Sequence, residues 1–154
     1  MKIKPNAHFS STTEITLDYL YSNNIRAVIL DIDNTIVTDG GFNISENVKN
    51  WINSRNLPLF FLSNGNEKRV KHFADIFNIG YISNAKKPSL KNYKKAAETL
   101  GISDLSEIAV IGDQLFSDIL GGNLAGCHTI KVPPIDPKSD PLLVKIKRIF
   151  ERLF

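Results

Sequence analysis

The sequence predicts a doubly wound α/β domain, and three observations carry that expectation. Short apolar runs recur along the 154 residues, separated by segments of helical periodicity. The runs are apolar throughout rather than alternating, as in strands of a parallel sheet covered on both faces. Most of them end abruptly in carboxylates, hydroxyls or amides, and ligands of such folds sit beyond the carboxyl ends of the strands.

The elements follow in order. A short helix over about Thr13 to Ser22 precedes the first strand, "RAVILDI". After the turn "TDGG", Ser45 is placed to cap a helix running to about Arg55, with Val48, Trp51 and Ile52 on one face. "LPLFFLSN" is the second strand, and Asn66 caps a helix whose Val70, Phe73, Ala74 and Phe77 share a face. "IGYIS" supplies a short third strand. Ser89 opens a helix that Gly101 ends, in the position where a left-handed residue is favoured. "EIAVIGD" is the fourth strand, "SDILGGNLAG" a helix weakened by its glycines, and "CHTIKV" the fifth strand. The expected sheet therefore has about five strands. A turn-rich connector, "VPPIDPKSDP", leads into an amphipathic helix at about 141–154.

Composition narrows the class. The length suits a single domain over 1–154, with 42% hydrophobic and 23% charged residues, as in soluble proteins. No run approaches the ~18 apolar residues of a membrane span. The basic start "MKIKPNAHFSS" has no apolar stretch behind it, so the expected location is cytoplasmic. Cys127 is the sole cysteine, which excludes an internal disulfide. A net charge of +3 is mild and by itself points to neither a nucleic-acid nor a membrane partner, so no nucleic acid is indicated.

The polar strand ends form a coherent set. The first strand delivers Asp31 and Asp33, the second Ser63, Asn64 and Gly65, and the fourth Asp113, with Asp118 following; Lys86, Lys87 and Pro88 come after the third. Neighbouring carboxylates repel unless a cation lies between them, and a hard divalent ion such as Mg²⁺ together with a lysine answers that need. A hydroxyl, the backbone N–H groups of the Asn64-Gly65 turn and an ammonium would then cradle phosphoryl oxygens. Residues i and i+2 of an extended segment face the same way, so Asp31 and Asp33 can address one phosphorus centre as nucleophile and proton shuttle.

The segments "DIDNT", "LSN", "KKP" and "IGDQLFSD", in that order, resemble the DxDx[TV], [ST], K and GDxxxxD motifs of the haloacid dehalogenase (HAD) superfamily of phosphatases. The longer phrases "SNGNEKRVKHF", "AKKP" and "IGDQLFSDILGGNLAGCHTIKV" are similar to its YqeG-like members of subclass IIIA, and the similarity runs from Ile25 to Val132. The resemblance implies a HAD-like, Rossmann-like fold and a Mg²⁺-dependent hydrolase of phosphomonoesters. It implies Asp31 as the nucleophile that becomes an aspartyl-phosphate and Asp33 as general acid/base. Metal ligands would be Asp31, Asp113 and the backbone carbonyl of Asp33. Ser63, Asn64 and Lys87 would bind phosphate, with Lys86 the competing lysine. Thr35 would support the loop, and Asp118 would be either a water-mediated ligand or an orienting group. The short spacings from Thr35 to Ser63 and from Ser63 to Lys87 leave no room for a cap domain, so the site is expected to be open, which suits a large substrate such as a protein, a nucleic-acid end or a lipid headgroup unless a partner subunit covers it. The YqeG-like resemblance, together with the amphipathic tail, implies phosphatidylglycerophosphate as a candidate. Gly65 stands where the family pattern has a second asparagine.

Two other readings stay open. One is a catalytically idle HAD-like interaction or regulatory protein; the other is a receiver-like phospho-acceptor domain, whose motif order differs. In the tail, Leu142, Leu143, Ile146, Ile149, Phe150, Leu153 and Phe154 share one helical face, opposite Lys145, Lys147, Arg148, Glu151 and Arg152. The first expectation is that the apolar face docks on the domain or on a second subunit as a homodimer contact. The alternative is peripheral attachment to an anionic membrane surface.

Overall fold

A computed structural model describes residues 2–54 and 56–154. Six strands form one parallel sheet: β1 (Ala7–His8), β2 (Ala27–Leu30), β3 (Leu59–Leu62), β4 (Gly80–Ile82), β5 (Ile108–Gly112) and β6 (His128–Lys131), in the spatial order β1-β6-β5-β2-β3-β4. The helices are α1 (Leu17–Ser22), α2 (Glu46–Asn53), α3 (Glu67–Phe77), α4 (Leu90–Leu100), α5 (Leu120–Ala125) and α6 (Leu142–Glu151). Both connections, β2 to β3 and β3 to β4, are short and carry no inserted domain.

The sheet separates two apolar cores. Side chains alternate across a strand, so Val28 and Leu30 of β2 pack with Trp51, Ile52, Val70 and Phe73 on one face, while Ala27 and Ile29 pack with Tyr93, Ala96 and Ala97 on the other. Each large apolar side chain fully buried in this way contributes about 2 kcal/mol. Strands sandwiched like this are apolar at every position, which is why the runs lack alternation.

Ser45 and Asn66 cap their helices as their residue types dictate, while Ser89 precedes α4 without a side-chain cap hydrogen bond. Ser45 Oγ accepts the Val48 N–H at 3.3 Å, and Asn66 Oδ1 accepts the Arg69 N–H at 2.9 Å. The expected end of the second helix, Arg55, lies outside the described residues; α2 ends at Asn53 with Ser54 behind it.

Three expectations need correction. The sheet has six strands, because Asn6 and Phe9 donate backbone hydrogen bonds to Thr129 and Lys131 and zip the two-residue β1 onto the edge. The first helix is divided into a 3-10 turn, Thr12–Glu14, and α1: Ile15 is extended and fully buried, and Thr16 caps α1 through the Tyr19 N–H. The apolar face of the tail does not dock on the domain, one of the partners expected for it; the opposite face does. No residue of α6 is buried, Leu142, Leu143, Ile149 and Phe150 are exposed, and Arg148 and Glu151 face the domain. Arg148 is drawn to buried carboxylates, and that attraction turns the charged face of the helix inward and leaves its apolar face to the solvent.

The topology fixes where a ligand would bind. From β2 the chain moves outward to β3 and β4, then returns across the sheet to β5 and β6. Loops leaving β2 and β5 therefore diverge, and a crevice opens at their carboxyl ends.

Candidate active site

Asp31 follows the last residue of β2, and its N–H still donates to the Ile111 carbonyl at 3.0 Å, fixing it between β2 and β5. Both carboxylate oxygens are gripped. Lys87 Nζ donates to Oδ1 at 2.7 Å, and Thr35 Oγ1 lies 3.0 Å from Oδ2. Thr35 also lies 3.3 Å from Asp113 Oδ1, so its single hydroxyl hydrogen stands between the two carboxylates.

Lys87 Nζ continues to Asp118 Oδ1 at 2.6 Å, with only 4% of the lysine side chain exposed. The loop that delivers it is tied down by the Lys87 N–H, which donates to Asn64 Oδ1 at 2.8 Å. Lys86 is exposed, so Lys87 is the lysine in the crevice. Asp118 sits on a π-helical turn, Leu115–Ile119, a form common at functional sites. Its Oδ2 accepts the Gln114 N–H at 3.1 Å. The carboxylate rests directly on Gly112, where any added Cβ would come within 2.3 Å of Asp118 Cγ. Only glycine before Asp113 permits that approach.

Asp33 stands at the rim. Arg69 Nε and Nη2 donate to its Oδ1 at 3.0 and 2.7 Å, and Arg69 also reaches the Thr38 carbonyl at 3.3 Å. Ser63 is buried, and its Oγ accepts the Gly65 N–H at 3.0 Å, tightening the turn after β3. Asp31, Asp33, Ser63, Asn64 and Lys87 together line a cavity of about 320 Å³, with Asp39, Gln114 and Lys147 on its outer wall. A larger cavity, about 400 Å³, lies among Ser11, Thr12, Asn43 and Pro133; no ionisable side chain lines it, so it offers no comparable chemistry.

Charge is concentrated here. Burial, reinforced by Asp118, pushes the Asp31 carboxyl well above its usual range even though Lys87 opposes the shift. Burial and Asp118 likewise push Asp113 up to about 6, against Arg148. For Lys87, burial alone would lower the pKa, but Asp118 and Asp31 outweigh it and keep the ammonium protonated. Among the described residues, Asp31, Asp113 and Asp118 are the acidic group able to offer metal ligands, with one oxygen each within 4.8 Å of the others. An all-oxygen donor set of buried carboxylates fits a hard divalent cation, which would relieve their mutual repulsion.

The structure thus brings Asp31, Asp33, Thr35, Ser63, Asn64, Lys87, Asp113 and Asp118 to one crevice. It adds groups that sequence reasoning missed. Arg69 carried a signal, since a basic residue in the first turn of a helix works against the macrodipole and calls for a carboxylate partner. Arg148 carried none, lying thirty-five positions from Asp113. Asn34 joins the two regions: its Nδ2 donates to Asp140 Oδ1 at 2.7 Å, and Asp140 in turn pairs with Arg148.

Comparison with known proteins bears on the fold and the family. A model of the haloacid dehalogenase-like hydrolase family matches residues 45–126. The chain is 33% identical over 151 residues to the probable phosphatase YqeG of Bacillus subtilis, covering 96% of this chain and 87% of that one. A HAD-superfamily hydrolase from Ehrlichia chaffeensis has a TM-score of 0.53 at 19% identity, covering 84% of this chain and 97% of its own. A 3-deoxy-D-manno-octulosonate 8-phosphate phosphatase from Yersinia pestis has a TM-score of 0.53 at 16% identity, covering 76% and 77%. The two solved structures speak to the fold, and the Bacillus relative speaks to the family. The chain belongs to the haloacid dehalogenase superfamily of hydrolases, among its YqeG-like phosphatases.

Proposed function

We propose that the protein is a Mg²⁺-dependent phosphomonoesterase that works through an aspartyl-phosphate at Asp31. The observation that carries this reading is the double grip on Asp31, by Lys87 on one oxygen and Thr35 on the other, at the floor of a cavity with Asp33 at its mouth.

In the first step a carboxylate oxygen of Asp31 attacks phosphorus and the ester P–O bond breaks. The departing alkoxide takes its proton from Asp33. In the second step Asp33 accepts a proton from water, the water oxygen attacks phosphorus, and the P–O bond to Asp31 breaks to release inorganic phosphate. Arg69 orients Asp33 by holding Oδ1, leaving Oδ2 toward the Gly65 side of the cavity. Ser63, the amide of Asn64 and Lys87 would hold the phosphoryl oxygens. Asp31, Asp113 and the Asp33 carbonyl would hold the ion, which when bound offsets the charge of the carboxylates and the phosphoryl group. Asp118 acts as the group that orients Lys87.

For the substrate we propose a large or lipid-linked phosphomonoester such as phosphatidylglycerophosphate, with the protein peripheral on an anionic membrane. Two features support this: the absence of a cap over the crevice, and the exposed apolar face of α6 flanked by Lys145 and Arg152. No helix among the described residues is long and apolar enough to cross a membrane. The same apolar face joining two copies of the chain is the competing arrangement.

The direct test is turnover of p-nitrophenyl phosphate with Mg²⁺, with EDTA, and with Asp31→Asn. Both EDTA and the substitution are expected to reduce the rate by at least about a thousandfold. Equal activity of Asp31→Asn would remove the nucleophile assignment. For the lipid, co-sedimentation with anionic vesicles and phosphate release from phosphatidylglycerophosphate decide; absence of both would end that proposal, and dimers in solution would favour the competing arrangement.

A further inference from the structure

We propose that Arg148 sets the divalent-cation affinity of this site by competing for Asp113, so that metal loading loosens the strap formed by α6. The inference rests on the metal-dependent reading above and concerns a residue outside the family motifs.

What holds α6 is concentrated on the segment that follows β5. Arg148 Nη2 donates to Asp113 Oδ2, and Nη1 lies 3.5 Å from the Asp113 carbonyl. Glu151 Oε1 accepts the Leu115 N–H at 2.7 Å, and Phe154 meets Phe116 edge to face with centroids 5.8 Å apart. With no buried residue of its own, α6 has no core to anchor it. Its attachment therefore depends on these few contacts beside Asp113 and on the pairing of Arg148 with Asp140.

Asp113 has two carboxylate oxygens, and both are engaged: Oδ1 faces Thr35 and Oδ2 takes the guanidinium. A divalent ion ligated by Asp113 has to share or displace one of these partners. Thr35 is a neutral donor that can rotate toward Asp31, whereas Arg148 is a fixed positive charge that the ion repels. The guanidinium is thus the partner that yields. It does not become an unpaired buried charge, because Nε and Nη2 already bond Asp140, which Asn34 anchors. The exchange leaves the helix tethered at Asp140 and free at Asp113. Val144 and Lys147 of α6 line the outer wall of the cavity, so the same movement widens its mouth.

The test uses the full chain, with titration calorimetry of Mg²⁺ and Mn²⁺ against wild type, Arg148→Gln, Arg148→Lys and Glu151→Gln. Loss of a charge-assisted competitor is expected to tighten binding to Arg148→Gln by roughly tenfold. Arg148→Lys is expected to fall between, since a lysine keeps the charge without the fork. Glu151→Gln is expected to tighten it by about twofold, by weakening a single strap contact. A guanidinium that merely oriented Asp113 as a ligand would give the opposite sign, so unchanged or weaker binding by Arg148→Gln overturns the proposal, as does no metal binding by any form.

Amide exchange of wild type supplies a second readout that needs no variant to fold. Saturating Mg²⁺ is expected to speed exchange over residues 142–151, and slower or unchanged exchange there overturns the proposal. Failure of the phosphatase reading looks different: tighter metal binding by Arg148→Gln with no phosphomonoester hydrolysed keeps the competition and removes the activity.

Discussion

Lys87 and Arg148 both place a positive charge on the carboxylates of one crevice, yet they are held in unlike ways. Lys87 comes from a loop beneath the floor, with 4% of its side chain exposed, and bridges Asp31 to Asp118. Arg148 comes from a helix with no buried residue and reaches inward from the rim, with 14% of its side chain exposed. The difference separates two functions of charge. The floor cation is part of the folded core and keeps Asp31 and Asp118 compatible with burial; the rim cation belongs to an element that buries no residue of its own.

The comparison is broken most severely at Lys87. Lys87→Met leaves Asp31 and Asp118 buried without their shared partner, and breaking a buried pair in this way costs about 3 kcal/mol or more. Urea unfolding is expected to show that loss, and turnover of p-nitrophenyl phosphate is expected to fall at least about a hundredfold because the phosphoryl cradle loses its ammonium. If Lys87→Met and Arg148→Gln destabilised the fold equally, the distinction between floor and rim would fail.

A smaller effect is expected at Arg69, a rim cation whose partner takes part in the proposed proton transfer. Arg69→Ala removes both guanidinium hydrogen bonds to Asp33 Oδ1, leaving it the Gly40 N–H at 3.4 Å, and leaves the sheet and floor untouched. The rate is expected to fall about tenfold through lost orientation of Asp33, with the melting temperature nearly unchanged. A matching fall in stability would show Arg69 to be structural instead, and the pH–rate profile adds the discriminating measurement, since a misoriented proton shuttle alters its basic and acidic limbs where a loosened fold does not.

How much of this was legible in the sequence follows from which interactions are local. Asp31, Ser63 and Asp113 could be read because buried parallel strands are continuous apolar runs, and their ends are marked by the first polar residue. Asp118 and Gly112 could be read as a motif, although the reason for the glycine, a carboxylate lying on its Cα, is visible only in three dimensions. β1 could not, since two residues paired to an edge carry no period. The docking of α6 was readable only in part. A helical wheel gives the face that is apolar, and burial of that face is the ordinary outcome; here Asp113, remote in sequence, and Asp140, just before the helix, attract Arg148 and turn the helix over.

The smallest predicted effect concerns a rim carboxylate with no cation of its own. Among the described residues no hydrogen-bond donor reaches the Asp39 carboxylate, and burial, then the charge of Asp33, pushes its pKa up to about 6 against the pull of Arg69. A carboxyl raised in the folded state holds its proton where the unfolded chain has already lost it. Its contribution to stability therefore declines as pH rises from about 4 to about 6, and the decline is complete above that window. Asp39→Asn removes the ionisation, so the variant is expected to be more stable than wild type at pH 7.5 and little different at pH 4.5. Because the side chain is partly solvated, the gain is expected to stay below about 1 kcal/mol, or about 2 °C in melting temperature. Melting curves of the two proteins in EDTA at the two pH values check it. A gain of the same size at both would trace the effect to packing, and would show that an unpaired rim carboxylate is tolerated here without electrostatic cost, unlike the paired carboxylates of the floor.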